Sequence, residues 1–165
     1  QAPHLIERGL DPTIAATVIS TFSLFSAFAG VIFGILVSRI TIRLSLVAAA
    51  VALSSSTISM ILISEVWHGY FAGAMFGIGI GGILTILPIA WVDFFGRRSF
   101  GSIRGIALSI QVTAQASGPL ISGFLRDKTG DYFMSLVIFM GLSLAAVLAA
   151  FLTKPPKPFT KISNE

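Results

Sequence analysis

Gln111 and Gln115 stand one helical turn apart in the middle of an uncharged stretch, with Thr113 between them and Ser117 just beyond. Side chains at that spacing share a helix face. An amide in apolar surroundings must find a partner, because burying it without a hydrogen bond costs about 1–3 kcal/mol by mutational measures. The chemistry open to such a face is recognition: hydrogen bonds to a solute in a wetted path, or to another helix. Ser20, Thr21 and Ser23 add hydroxyls in an earlier uncharged stretch. The sequence offers no nucleophile–base pair, no metal-ligand cluster and no cofactor loop, so it does not read as an enzyme, and no metal or cofactor is expected. The run Gly77-Ile78-Gly79-Ile80-Gly81-Gly82 has neither the preceding strand nor the acidic ribose partner of a dinucleotide loop. These are read as packing glycines.

The elements that must position these residues follow from the charge distribution. Among 165 residues, 55% are hydrophobic and 11% charged, with a mean hydropathy of +0.91, which does not fit a water-soluble domain. Five stretches contain no Lys, Arg, Asp, Glu or His: Ile14 to Val37, Leu44 to Ser64, Tyr70 to Val92, Gly105 to Leu125 and Tyr132 to Thr153. At 21 to 24 residues each, all can span a bilayer as helices. Helix is required, since a lipid-exposed strand would leave its backbone groups without partners. The fold class is therefore all-α, a polytopic transmembrane bundle of about five spans. Residues 1–13 read as an external connector after a missing helix, residues 14–153 as the bundle, and residues 154–165, with Pro155, Pro156 and Pro158, as a cytoplasmic tail. The opening at Gln1, without a signal peptide, reads as a truncation.

Five spans sort the connectors into two sets. One holds Arg39, Arg43, Arg97, Arg98, Arg104, Lys154, Lys157 and Lys161; the other holds Arg8, Arg126 and Lys128. The larger set is expected in the cytoplasm, placing the C-terminus inside and the protein in a plasma membrane, the inner membrane of a bacterium. The pI near 10.0 then reflects topology, and no nucleic-acid partner is expected. Trp67, Tyr70 and Tyr132 fall near outer span ends and Trp91 near an inner one, as interfacial aromatics do. Glu65 and Asp93 sit at span ends, and His4 and His68 in external connectors, so no titratable group lies inside a span. Asp11 before Pro12 suits a helix N-cap, and Asp131 could cap the last span in the same way.

Small residues recur every fourth position: Ser26, Gly30 and Gly34; Gly73, Gly77 and Gly81; Ala114, Gly118 and Ser122. In lipid, helices associate through such close-approach faces, which argues for a tight bundle. Pro88 and Pro119 lie within spans, where each removes a helical hydrogen bond and favours a kink. One pattern appears at two span exits of opposite orientation: Gly34, Ser38 and Thr41 in the first, Gly123, Asp127 and Gly130 in the fourth. An inverted-topology repeat leaves this trace.

With these exits, the chain resembles helices 8 to 12 of a major facilitator superfamily transporter, near the monocarboxylate and oxalate–formate-type branch. The family's loop between helices 8 and 9 reads G-x-x-x-D-R-x-G-R-R; Gly34, Arg39 and Arg43 match it, while Ser38, Thr41 and Ile42 depart. Phe95 to Gly105 resembles the 10–11 loop of that branch, and Gly118-Pro119 followed by Gly123, Asp127, Gly130 and Tyr132 completes the likeness. The resemblance implies a second half of a two-half molecule, its partners being the lipid bilayer, a missing N-terminal half and a small-molecule solute.

It also implies that the first and fourth spans line a central cavity, making Ser20, Thr21, Ser23, Gln111, Thr113, Gln115 and Ser117 the cavity candidates. Where relatives carry charges in these spans, this chain has Ser26, Gly30 and Gln111. Gly34, Arg39, Arg43, Asp93, Arg97, Arg98 and Arg104 are the gating candidates, through a charge network made in one conformation and broken in another; topology anchoring is the plainer role for those arginines. Gly30, Gly73, Gly77, Gly81, Pro88, Gly118, Pro119 and Gly123 are packing or kink candidates. The expected function is secondary active, alternating-access transport of a small organic solute, an organic anion such as a mono- or dicarboxylate. Efflux of amphipathic compounds, or a non-transporting membrane module that docks partners, are the alternatives.

Overall fold

The computed structural model describes residues 11–96 and 100–152, which form five helices: α1 Pro12–Arg39, α2 Ile42–Ile61, α3 Val66–Phe95, α4 Phe100–Thr129 and α5 Phe133–Leu152. All but a few residues of each uncharged stretch fall inside one helix, and α3 and α4 run about a turn further into the charged flanks at both ends. The expected connector over residues 1–13 falls mostly, and the tail over residues 154–165 wholly, outside the described residues, as do Arg97 and Arg98.

Local chemistry sets the ends. The Thr13 N–H donates to Asp11 Oδ1 at 2.7 Å to start α1, and the Leu44 N–H donates to Thr41 Oγ1 at 3.4 Å to start α2. Glu65 precedes α3 without capping it; its carboxylate accepts from Trp67 Nε1 at 3.1 Å instead. Helix α3 ends on Gly96 at φ 75° and α4 on Gly130 at φ 85°, left-handed positions that glycine takes without a Cβ penalty. Asp131 Oδ1 then accepts from the Phe133 N–H at 3.1 Å and starts α5. Connectors this short force successive helices to run antiparallel.

Helix α3 is the hub. A Cβ on Gly73 would lie 2.9 Å from the Val18 carbonyl oxygen, and Cβ atoms on Gly77 and Gly81 would strike the carbonyls of Phe22 and Ser26. That face of α3 therefore rests directly on the backbone of α1. A second face uses Gly79 and Gly82, where added carbons would meet Leu53 and Ala49 of α2 and Phe33 of α1. Helix α2 also packs along α5, whereas α4 touches α3 and α5 only lightly.

Small side chains predominate in the interior, with Ala49, Ala50, Ala72, Ala90, Ser45, Ser54 and Ser56 buried, and the larger Val18, Phe33, Met60, Ile63 and Ile86 fill two apolar clusters among them. Many other large apolar side chains point outward: Leu120 is 74% and Leu152 75% exposed. This inside-out distribution suits a protein whose solvent is hydrocarbon. Hydroxyls join the helices, Ser56 Oγ donating to the Ala72 carbonyl at 2.8 Å, Ser59 Oγ to that of His68 at 3.3 Å, and Thr17 and Tyr70 sharing a bond of 2.7 Å.

Four helices, α1, α2, α3 and α5, are long and apolar enough to cross a membrane by length and composition. Helix α4 differs from the expected set of five spans. It has 30 residues, but Ser109, Gln111, Thr113, Gln115, Ser117, Pro119 and Ser122 dilute its apolar surface, and none of its residues is buried. A helix this polar needs neighbours other than lipid on part of its surface.

Candidate functional site

The cavity candidates divide between α1 and α4, and no extended contact joins those helices. On α1, Ser20 and Ser23 are exposed and Thr21 half-buried; their hydroxyls donate back to the carbonyls of Ala16, Thr17 and Ile19 in their own helix. Local bonds of that kind leave each oxygen able to accept from a solute.

On α4 the candidates separate by face. At 100° per residue Gln111 and Gln115 align with Gly118 and Ser122, while Thr113 and Ser117 align with Ser109 on the opposite side. The hydroxyls of Thr113 and Ser117 donate to the carbonyls of Ser109 and Thr113 at 2.8 and 2.7 Å. The two amides behave differently. Gln111 is half-buried, Gln115 is exposed, and among the described residues neither has a hydrogen-bond partner.

At the arginine-rich end, a cleft of about 580 Å³ brings together three gating candidates, Gly34, Arg43 and Asp93, along with Ser38, Thr41 and Phe94. Asp93 also borders an adjoining cleft with Pro88, Gly96 and Phe100. The expected network differs in its partners. Among the described residues Asp93 makes no ion pair. The Arg43 guanidinium donates to the Phe151 carbonyl and lies 4.8 Å from the centre of the Phe151 ring, tying the start of α2 to the end of α5. Arg104 lies 5.6 Å from the Phe100 ring centre. Arg39 is exposed in the last turn of α1, where a cation complements the helix dipole.

Of the packing candidates, Gly73, Gly77 and Gly81 form the α1–α3 contact described above. Gly30 and Gly34 sit over Thr85, at 3.4 Å from its Oγ1 and 3.8 Å from its Cγ2 for an added Cβ. Gly118 and Gly123 have nothing within 4 Å, and with Pro119 they border a cavity of about 570 Å³ between α2, α3, α4 and α5. Helices α3 and α4 continue through Pro88 and Pro119.

His68 departs from expectation. It lies in the first turn of α3, not in a solvated connector; its ring stacks 3.9 Å from that of Trp67, and its Nδ1 is buried without a partner among the described residues. The sequence signal available was Glu65, whose position predicts the start of a helix three residues earlier. At the same end Asp11 carries hydrogen bonds from Thr13, from its hydroxyl and then its backbone N–H, which hold the carboxyl below the usual carboxylate range.

The arrangement contains a polar helix with unpartnered amides and a charged cleft at one end, and it contains no assembled reaction centre among the described residues. The model of the Major Facilitator Superfamily matches residues 2–165. The chain belongs to the major facilitator superfamily. This is a family of membrane transporters and not of enzymes, and the chain is accordingly an integral membrane protein.

Human monocarboxylate transporter 7 is 29% identical over 161 residues, covering 94% of this chain and 30% of that protein. Human monocarboxylate transporter 11 is 25% identical over 153 residues, covering 87% of this chain and 32% of the relative. Rat monocarboxylate transporter 2 is 28% identical over 136 residues, covering 79% and 28% respectively. The chain thus spans about a third of the length of these relatives. The likeness to the monocarboxylate type matches the branch expected from Gly118-Pro119, Gly123, Asp127 and Gly130.

Proposed function

We propose that these five helices are part of a secondary transporter that moves a small organic anion, a mono- or dicarboxylate, by alternating access. The single observation that carries the reading is the character of α4: membrane-length, with no buried residue, and bearing two amides that lack partners. Such a helix is stable in a bilayer when part of its surface meets water, solute or protein instead of acyl chains. The solute path runs beside Gln111 and Gln115, whose amides hydrogen-bond the polar part of the solute. The substrate class is supported by the names of the relatives, which are monocarboxylate transporters.

Neither α1 nor α4 carries a charge in its middle, so the cation that balances a carboxylate comes from elsewhere in the complete transporter. The arginine-rich end faces the cytoplasm, with Arg43 and Asp93 bordering the cleft that closes and opens there.

The test is uptake of radiolabelled mono- and dicarboxylates by the full-length protein in proteoliposomes. Saturable uptake that unlabelled carboxylate inhibits is the expected result. Extrusion of amphipathic dyes without carboxylate uptake would replace the proposed substrate class, and movement of neither would remove the transport reading.

A further inference from the structure

The hydroxyls in the uncharged middles of α1 and α4 have a common bonding pattern. On α1, Ser20, Thr21 and Ser23 donate to the carbonyls of Ala16, Thr17 and Ile19 at 3.2, 3.0 and 3.3 Å. On α4, Ser109, Thr113 and Ser117 donate to those of Gly105, Ser109 and Thr113 at 3.0, 2.8 and 2.7 Å. A hydroxyl has one proton, and each of these has placed it within its own helix. What the six oxygens still offer is lone pairs, on both faces of α4 as on α1. Ser26, seated in the α3 contact, and Ser122, in the cavity beside α5, have no such bond.

This pattern selects among carboxylates. A carboxylate only accepts, so a plain or keto acid gains from these hydroxyls only by breaking a bond already made. No cation lies between Ile14 and Val37 or between Gly105 and Leu125, and the side-chain N–H donors there are those of Gln111 and Gln115. A solute hydroxyl meets the opposite situation. It donates to the serine and threonine oxygens without cost to the helix, and it both donates to and accepts from a glutamine amide. The exposed members form a ladder. Counted from the middle of each helix at about 1.5 Å per residue, Ser20 and Ser23 lie about 8 and 4 Å toward the Asp11 end, Gln115 about at the middle, and Gln111 about 5 Å toward the arginine-rich end. A short acid with at most one hydroxyl reaches one rung at a time, whereas a chain with a hydroxyl on each carbon reaches two or more together.

We infer that the solute is a polyhydroxylated monocarboxylate, an acid of the aldonate type, held chiefly through its hydroxyls. This deepens the transport reading above and rests on it. Ser20 and Ser23 face away from Val18 and Phe22, the residues that α1 packs against α3, and both are exposed, so their oxygens are open to a solute. They become specificity-determining residues: they add nothing for a keto acid and one bond each for a solute hydroxyl.

Uptake of radiolabelled gluconate, lactate, pyruvate and succinate by the full-length protein in proteoliposomes tests the assignment. With two more hydrogen bonds than pyruvate makes, gluconate is expected to show a KM roughly 25-fold lower, about fivefold per bond. Ser20→Ala and Ser23→Ala should each raise the KM for gluconate about fivefold more than that for pyruvate, and Ser23→Thr, which keeps the oxygen, should hold the preference. Lactate, pyruvate or succinate taken up with a KM equal to or below that of gluconate would overturn the inference and leave carboxylate transport standing. Unchanged selectivity in both alanine variants would overturn it as well. Saturable uptake of no carboxylate would remove both readings together.

Discussion

At the scale of single residues, the unpartnered amides carry the functional prediction. Replacing Gln115 by Leu keeps the volume and removes one neutral hydrogen bond, worth about 1 kcal/mol. The expected result is a rise of roughly fivefold in KM for uptake with the thermal midpoint unchanged; a lowered midpoint with unchanged KM would assign the amide to helix packing. Gly81 carries a structural prediction, because its missing Cβ is what lets α3 rest on the Ser26 carbonyl. Gly81→Val should destabilise by about 1–3 kcal/mol, as overpacking does. Gly101→Ala, with nothing within 4 Å among the described residues, should be neutral or slightly stabilising in the same detergent melting experiment. Asp11 gives a pH dependence. Its carboxyl is held below the ordinary aspartate range by Thr13, so the capping contribution is complete above that range and is lost as pH falls through the lower folded-state pKa. Hydrogen exchange of the first-turn amides of α1 should accelerate across that acid range, and Asp11→Asn should abolish the dependence.

At the scale of elements, the bundle is held by close backbone approach, a few hydroxyl bonds and two apolar clusters, one around Val18 and Met60 and one around Phe33 and Ile86. The Ser56 bond to the Ala72 carbonyl lies at a buried α2–α3 contact, and Ser56→Ala is expected to cost about 0.5–1 kcal/mol, the usual worth of an interhelical bond in a membrane. Arg43 clamps α2 to α5 through a flat guanidinium that both donates to the Phe151 carbonyl and stacks on its ring. Lysine has the charge without the planar fork. Arg43→Lys should therefore speed hydrogen exchange at the end of α5 nearly as much as Arg43→Ala. An anchor that acts by charge alone would leave exchange in the lysine variant at the wild-type level. The element whose role was hardest to read from sequence was α4. Its uncharged length was plain from Gly105 to Leu125 and the spacing alone divides its polar side chains between two faces, but that none of its residues is buried and that it touches its neighbours only lightly became clear only in the assembled bundle.

For the whole molecule, the positive-inside reading predicts that cysteines introduced at Ser99 and Ser102 are labelled by an impermeant thiol reagent only after intact cells are opened, whereas one at Lys128 is labelled from outside. Labelling with the opposite sense would invert the topology. The amino-acid sequence alone determined that five membrane-length helices exist, roughly where they end, and that Asp11 and Asp131 begin two of them. These properties depend on local charge, capping and the thickness of the hydrocarbon layer, all of which are written in order along the chain. It also carried the family, through glycine, proline and aspartate at fixed spacing. The tertiary structure decided which helix faces meet: that Gly73, Gly77 and Gly81 receive the backbone of α1, that Arg43 reaches Phe151 and not Asp93, that His68 turns inward, and that Gly118 and Gly123 border a cavity. Nearly every face of these helices is apolar, so hydropathy does not distinguish the face turned to lipid from the face turned to protein. That choice is made by the fit of small residues against a particular neighbour, which exists only once the helices are assembled.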